Sequence, residues 1–252
     1  MTAPDAEMLA RELDEALLAR REIAPLTKTR GDFDLAAAYR VQERGIELRL
    51  ARGEKIVGYK MGLTSEAKRV QMNLGAPIYG VLTDAMRIES ELRAGDGVHP
   101  KIEPEIAFVT RRELHGQITL QQAFDALEAV APALEILDSR FVGFKYFSLP
   151  DVVADNCSSW KFALGPLQKP RRASGLAMRM SVDGAVKQQA NSNDISGDPL
   201  VSLVQLAAML PHPLPAGSIV LAGAATVAAP LRAGIAVSLH VDELAGMQVR
   251  AT

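Results

Sequence analysis

Cysteine is nearly missing from this chain. Cys157 is the single one among 252 residues, so no intramolecular disulfide can form, and that fits a reducing, cytoplasmic setting. Charge of one sign is missing too. The net charge is −2, so nothing suggests a nucleic-acid groove or a basic membrane patch. No apolar run reaches the roughly 18 residues of a membrane span. The first residues, MTAPDAEMLARELDEALLARRE, carry acids where the basic region of a signal peptide would lie and lack its apolar core.

Several catalytic signatures are also absent. No G-x-S-x-G announces a Ser-His-Asp hydrolase. The glycines of GYKMGLTS match neither a phosphate loop nor a dinucleotide fingerprint. The four histidines, His99, His115, His212 and His240, are scattered and read as surface or packing residues. There is no internal repeat and no low-complexity segment.

What is present is an ordinary globular mixture, 48% hydrophobic and 23% charged, sufficient for one large domain or a small one with a larger one. Residues 5–24 have a helical stripe of Leu9, Leu13, Ala16 and Leu17. Residues 34–52 suit a second helix capped by Asp34, with Leu35, Tyr39 and Ile46 on one face. KIVGYKMGL (55–63) is strand-like, and 64–75 suits a short helix stopped by Gly75. From residue 77 the texture turns to strands: IYGVLTDAMRI, KIEPEIAFVT, ALEILDSR, GSIVLAGAAT and GIAVSLHVDEL. TLQQAFDALEAVA is predicted as a helix that stops before Pro132, with a capping box of Thr119 and Gln122. Asp183-Gly184 marks a hairpin, and Asp198-Pro199 opens a helix running to Leu210. The expected class is α+β. Residues 1–76 make a small helical N-terminal portion with the Lys60 strand, and 77–252 make a β-rich catalytic domain.

KIEPEIAF (101–108) poses the chemical question. In a strand, Glu103 and Glu105 point to one face. Pro104 cannot donate to a ladder, so this strand is expected at an edge, at its end, or bulged. A solvated face explains the pair; so does a divalent-metal site, since a hard cation removes the repulsion between the carboxylates. Glu135, in apolar PALEILDSR, adds a third acid that is costly to bury alone. Together they suggest a facial triad of carboxylates with open positions for substrate oxygens. A metal-free pair working as acid and base is the competing chemistry. Lys60, between Gly58 and Gly62, fits a surface lysine or a group near a closely approaching ligand. Asp155-Asn156-Cys157-Ser158-Ser159 fits a plain Asx-type turn or a polar pocket wall.

GYKMGLTS, HPKIEPEIAF, ALEILDSRF and SLPDVVADNCSS, in this order and spacing, resemble the fumarylacetoacetate hydrolase superfamily. Within it they are similar to the hydratase/decarboxylase branch of meta-cleavage aromatic catabolism, in its decarboxylase form. The resemblance covers roughly residues 5–245. It implies that Glu103, Glu105 and Glu135 bind Mg²⁺ or Mn²⁺, that Lys60 and Asp155 are catalytic, and that Asn156 and Ser158 border the substrate. Gly234-Ile235 and Trp160-Lys161 depart from the family pattern at the pocket rim. The implied activity is decarboxylation of a small dicarboxylate, 2-oxo-3-hexenedioate, to 2-hydroxypenta-2,4-dienoate. Hydration of that dienoate is the alternative within the branch, and a non-catalytic metal-binding protein is the alternative outside it. The implied partners are further copies of the chain and a sister hydratase, with no nucleic acid and no membrane.

Overall fold

The computed structural model describes residues 2–64, 77–144 and 148–252. The N-terminal part is helical. Thr2 caps α1 (Ala3–Leu18), exchanging bonds with Asp5. The helix ends well before residue 24 because Arg20 turns left-handed (φ 53°) and the chain leaves to bridge Ile23 with Phe141. After a single turn, α2 (Leu26–Thr29), comes α3 (Leu35–Ala51), whose N-cap Asp34 accepts from the Ala37 N–H. Its buried stripe is Ala37, Ala38, Val41 and Ile46, whereas Leu35 is exposed. These helices share a small core with α5 (Leu149–Ala154). The helix expected at 64–75 lies outside the described residues.

Two sheets follow. The first has the order β2-β1-β9-β4-β5-β6: β2 (Ile78–Thr83), β1 (Ile56–Gly62), β9 (Ile219–Ala224), β4 (Lys101–Thr110), β5 (Leu127–Leu137) and β6 (Ser159–Leu164). The short β10 (Ala229–Pro230) also pairs with β4. The Lys60 strand thus belongs to the same sheet as the strands after residue 77. The second sheet runs β3-β12-β11-β7-β8, with β3 (Glu91–Leu92), β7 (Ala177–Val182), β8 (Ala185–Asn191), β11 (Ala236–Val241) and β12 (Met247–Ala251). Asp183 and Gly184 join β7 to β8, both at positive φ, as a two-residue hairpin needs. The main apolar core joins the sheets with α4 (Leu120–Asp125) and α6 (Pro199–Met209).

The helix predicted to run up to Pro132 needs correction. The α4 capping box is present, with the Thr119 N–H donating to Gln122 Oε1 at 2.8 Å, but the helix stops at Asp125. Residues 127–131 instead pair with β4, Ala131 opposite Ala107 and Val130 opposite Phe108; pairing with a central strand outweighs local helix propensity. Of the three placings expected for the Pro104 strand, the bulged one is found in β4. The strand lies between β9 and β5 and accommodates Pro104 through a register shift against β9 at Glu105/Ala107.

The first sheet curls strongly. Just beyond β2, the Ile88 N–H donates to the Phe162 carbonyl of β6 at 2.9 Å, so the two ends of the sheet meet. One face of the curl becomes an interior. Its apolar floor is Leu82, Met86, Ala107, Ala133, Phe162, Ile219 and Leu221. Among the described residues, no helix is long and apolar enough to cross a membrane.

Candidate metal centre

Strand register assembles the site. Glu103 and Glu105 leave β4 on its inward face, and the antiparallel pairing with β5 sets Glu135 directly opposite Glu103. One oxygen from each of the three carboxylates lies within 4.8 Å of the others. Glu105 and Glu135 are wholly buried, and Glu103 is 9% exposed. Such a cluster requires compensating charge.

The surrounding strands supply part of it. Lys60 Nζ on β1 donates to Glu135 Oε2 at 3.0 Å, and Ser159 Oγ on β6 donates to Glu135 Oε1 at 2.8 Å. The Gly223 N–H of β9 donates to Glu105 Oε2 at 2.8 Å. Gly223 has φ +109°, and a Cβ there would meet Thr64 Oγ1 at 2.4 Å, so this close approach requires glycine. Glu105 Oε1 is buried without a hydrogen-bond partner. Burial, then the charges of Glu135 and Glu103, hold the Glu105 carboxyl well above the usual carboxylate range, against the pull of Lys60. Burial favours neutral Lys60, but the neighbouring acids, Glu135 foremost, outweigh it and hold the ammonium form.

The donor set fits a hard divalent cation. It consists of carboxylate oxygens alone, with one oxygen left unbonded, and Mg²⁺ and Mn²⁺ prefer such ligands over nitrogen or sulfur.

The polar run after α5 forms the wall beside Lys60. Asn156, Cys157 and Ser158 take φ of 47°, 54° and 56°, three left-handed residues in succession, each unfavourable without glycine. Asn156 holds the turn to β2, its Oδ1 accepting from the Val81 N–H at 2.8 Å and its Nδ2 donating to the Val81 carbonyl at 2.9 Å. Gly80, paired with Lys60, leaves room: a Cβ there would lie 2.8 Å from the Asn156 carbonyl oxygen. Cys157 Sγ donates to the Tyr79 carbonyl at 3.1 Å, and burial pushes its thiol up to about 12, so it stays protonated. Ser158 is fully buried in the same turn.

Asp155 faces away from this cluster's bonds. Its carboxylate accepts from Arg140 Nε at 2.5 Å and from the Arg140 N–H at 3.1 Å. Burial raises the Asp155 carboxyl even with that guanidinium beside it. The structure therefore brings Lys60, Glu103, Glu105 and Glu135 together and engages Asp155 and Asn156 in holding the wall. In the sequence Ser159 stood out only as the end of the polar run 155–159, and Gly223 and Arg140 did not stand out. A glycine inside an apolar strand does signal close approach; the arginine carried no comparable local signal.

A curled mixed sheet with carboxylates from two adjacent strands and a lysine from a third defines a carboxylate-metal enzyme class. The model for the fumarylacetoacetate (FAA) hydrolase C-terminal family matches residues 61–251, and the chain belongs to that family. It is 43% identical to a 4-oxalocrotonate decarboxylase of Pseudomonas sp, over 97% of each chain. It is 31% identical to a 2-hydroxyhexa-2,4-dienoate hydratase of Comamonas testosteroni, over 98% of this chain and 97% of the relative. Its fold superimposes on the 4-oxalocrotonate decarboxylase of Pseudomonas putida G7, solved with magnesium and adipate. That match has a TM-score of 0.96 and 33% identity, and it covers 100% of this chain and 99% of the other.

Proposed function

We propose that this chain decarboxylates 2-oxo-3-hexenedioate (4-oxalocrotonate) to 2-hydroxypenta-2,4-dienoate and CO₂ in the degradation of aromatic rings. The observation that carries the reading is the buried Glu103–Glu105–Glu135 cluster with the Lys60 ammonium inside it. Those three residues would hold Mg²⁺ or Mn²⁺, and the ion supplies Lewis-acid charge to the 2-oxo acid end of the substrate.

The chain's own groups do the remainder. In the reaction the C5–C6 bond breaks, C6 leaves as CO₂, and the electron pair spreads from C5 through C4 and C3 to the oxygen on C2, which takes one proton. Lys60 holds a proton within the carboxylate cluster and delivers it to that oxygen. The apolar floor of Leu82, Ala107, Ala133 and Phe162 excludes water from the carboxylate cluster. Asp155 acts through Arg140 and Asn156 through β2, keeping the wall in place, and Ser158 borders the substrate.

Hydration of 2-hydroxypenta-2,4-dienoate is the second reading, favoured by the full-length likeness to hydratases. Incubation with Mg²⁺ and 2-oxo-3-hexenedioate, following CO₂ and dienoate absorbance separately, decides between them. CO₂ release with dienoate accumulation supports the decarboxylase. Hydration of added dienoate without CO₂ release supports the hydratase. Metal binding with neither reaction indicates a non-catalytic metal protein. We further propose self-association and pairing with a sister hydratase, since homologous chains can share one self-complementary interface. Light scattering that shows monomers, alone and with the hydratase, rejects this.

A further inference from the structure

The inward face of β4 carries one more charged side chain. Lys101 stands two residues before Glu103 and so points to the same side. Burial deepens along the strand, from half-buried Lys101 through Glu103 at 9% to Glu105 at 0%. Lys101 therefore stands at the solvent end of the face whose depths hold the carboxylates. Its ammonium lies 3.8 Å from the centroid of the Phe144 ring; the charge of Glu103 acts on it, and among the described residues no salt bridge holds it.

The platform beneath that ammonium is built against resistance. Gly143 and Phe144 both take left-handed backbone, φ 69° and 50°, unfavourable for phenylalanine. Glu22 fixes this turn, accepting from the Gly143 N–H at 2.7 Å and pairing with His99 Nε2 at 2.5 Å. The His99 ring meets Phe144 edge-on, centroids 6.4 Å apart. The aromatic ring takes one side of the ammonium and leaves it N–H donors for an anion.

Charge gives the anion its identity. A divalent ion and Lys60 together cancel three ionised carboxylates, so the centre would offer a second substrate carboxylate no net attraction. Lys101 offers one. Its backbone stands roughly 7 Å from that of Glu103, two strand steps, close to the length of an extended six-carbon chain. We infer that Lys101 binds the distal carboxylate of a dicarboxylate substrate and so selects diacids over monoacids. This rests on the metal-site reading above. Because a carboxylate lost as CO₂ sheds the contact, Lys101 stabilises bound substrate more than the transition state; its loss should raise KM and raise kcat with it, leaving kcat/KM less affected than KM.

Calorimetry on the Mg²⁺-loaded full chain tests this with 2-oxoadipate and 2-oxohexanoate, which share the 2-oxo acid end and differ in the second carboxylate. The wild-type chain should bind 2-oxoadipate on the order of 10-fold more tightly, the scale of one charge-assisted hydrogen bond. Lys101→Met should erase that preference and leave 2-oxohexanoate unchanged, while Lys101→Arg should retain it. Lys101→Gln carries the same test if the methionine variant fails to fold. No wild-type preference, or a preference that survives in the neutral variants, overturns the inference. If neither acid binds the wild-type chain in a Mg²⁺-dependent way, the metal-site reading fails, and this inference with it.

Discussion

Lys60 Nζ and Glu135 Oε2 form an ion pair at 3.0 Å with both side chains almost wholly buried. A pair so placed is worth most as a unit: removal of one partner leaves the other charged and dry. Lys60→Met should therefore destabilise the metal-free protein by about 3 kcal/mol, and saturating Mg²⁺ should restore much of that loss. Denaturant titrations with chelator and with Mg²⁺ measure the difference. The same variant should lose about 10²-fold in kcat/KM, the scale of a positioned proton donor.

Glu105 sets a pH dependence. Its folded carboxyl is held above the ordinary range by burial and by its acidic neighbours, so folding favours the protonated form. The metal-free protein should have this contribution in full below the ordinary carboxylate range and lose it as pH rises through the raised folded value. Glu105→Gln should flatten that slope and raise Tm at neutral pH in chelator. It should also weaken Mg²⁺ binding. A Tm profile against pH, wild type beside variant, gives the answer.

Asp155→Asn separates wall from chemistry. The substitution leaves the fully buried Arg140 guanidinium with only Asp138, 4.0 Å away, as its anion, and the expected loss is about 3 kcal/mol. Mg²⁺ affinity of the folded fraction should stay within about twofold, because Asp155 is no member of the oxygen cluster. Chemical denaturation and calorimetric Mg²⁺ titration together read both effects.

Gly223→Ala should be disruptive despite its small size. The added carbon would meet the Thr64 side chain in a left-handed backbone, and the strand must shift, moving the N–H that holds Glu105. A loss of about 1–3 kcal/mol is expected, with weaker Mg²⁺ binding. Gly217→Ala is a control for left-handed strain alone, since nothing lies within 4 Å of a Cβ there.

Local pattern carried much of the fold. The β4 bounds, the Asp183-Gly184 hairpin and the Asp198-capped helix were all legible because turn, cap and alternation are short-range properties. The end of α4 was not, because residues 127–131 are claimed by a strand that local propensity cannot see. The same division holds at the site. That Glu103 and Glu105 share a face follows from two-residue periodicity, whereas Glu135 joins them only through the β4–β5 register. Ser159 and Gly223 reach the carboxylates from strands far along the chain. Pro104 signalled a bulge as one of its possible placings, and a bulge admits it to a central strand.

The strand order has a consequence for synthesis on the ribosome. β9, residues 219–224, lies between β1 and β4, so it separates the strand of Lys60 from the strand of Glu103 and Glu105. A nascent chain that has emerged only as far as residue 218 already holds every acid of the cluster, yet lacks the spacer that sets their distance from Lys60. Non-local pairings of this kind form late. The centre is thus completed near the end of translation, and a truncated product carries the acids without the geometry to use them.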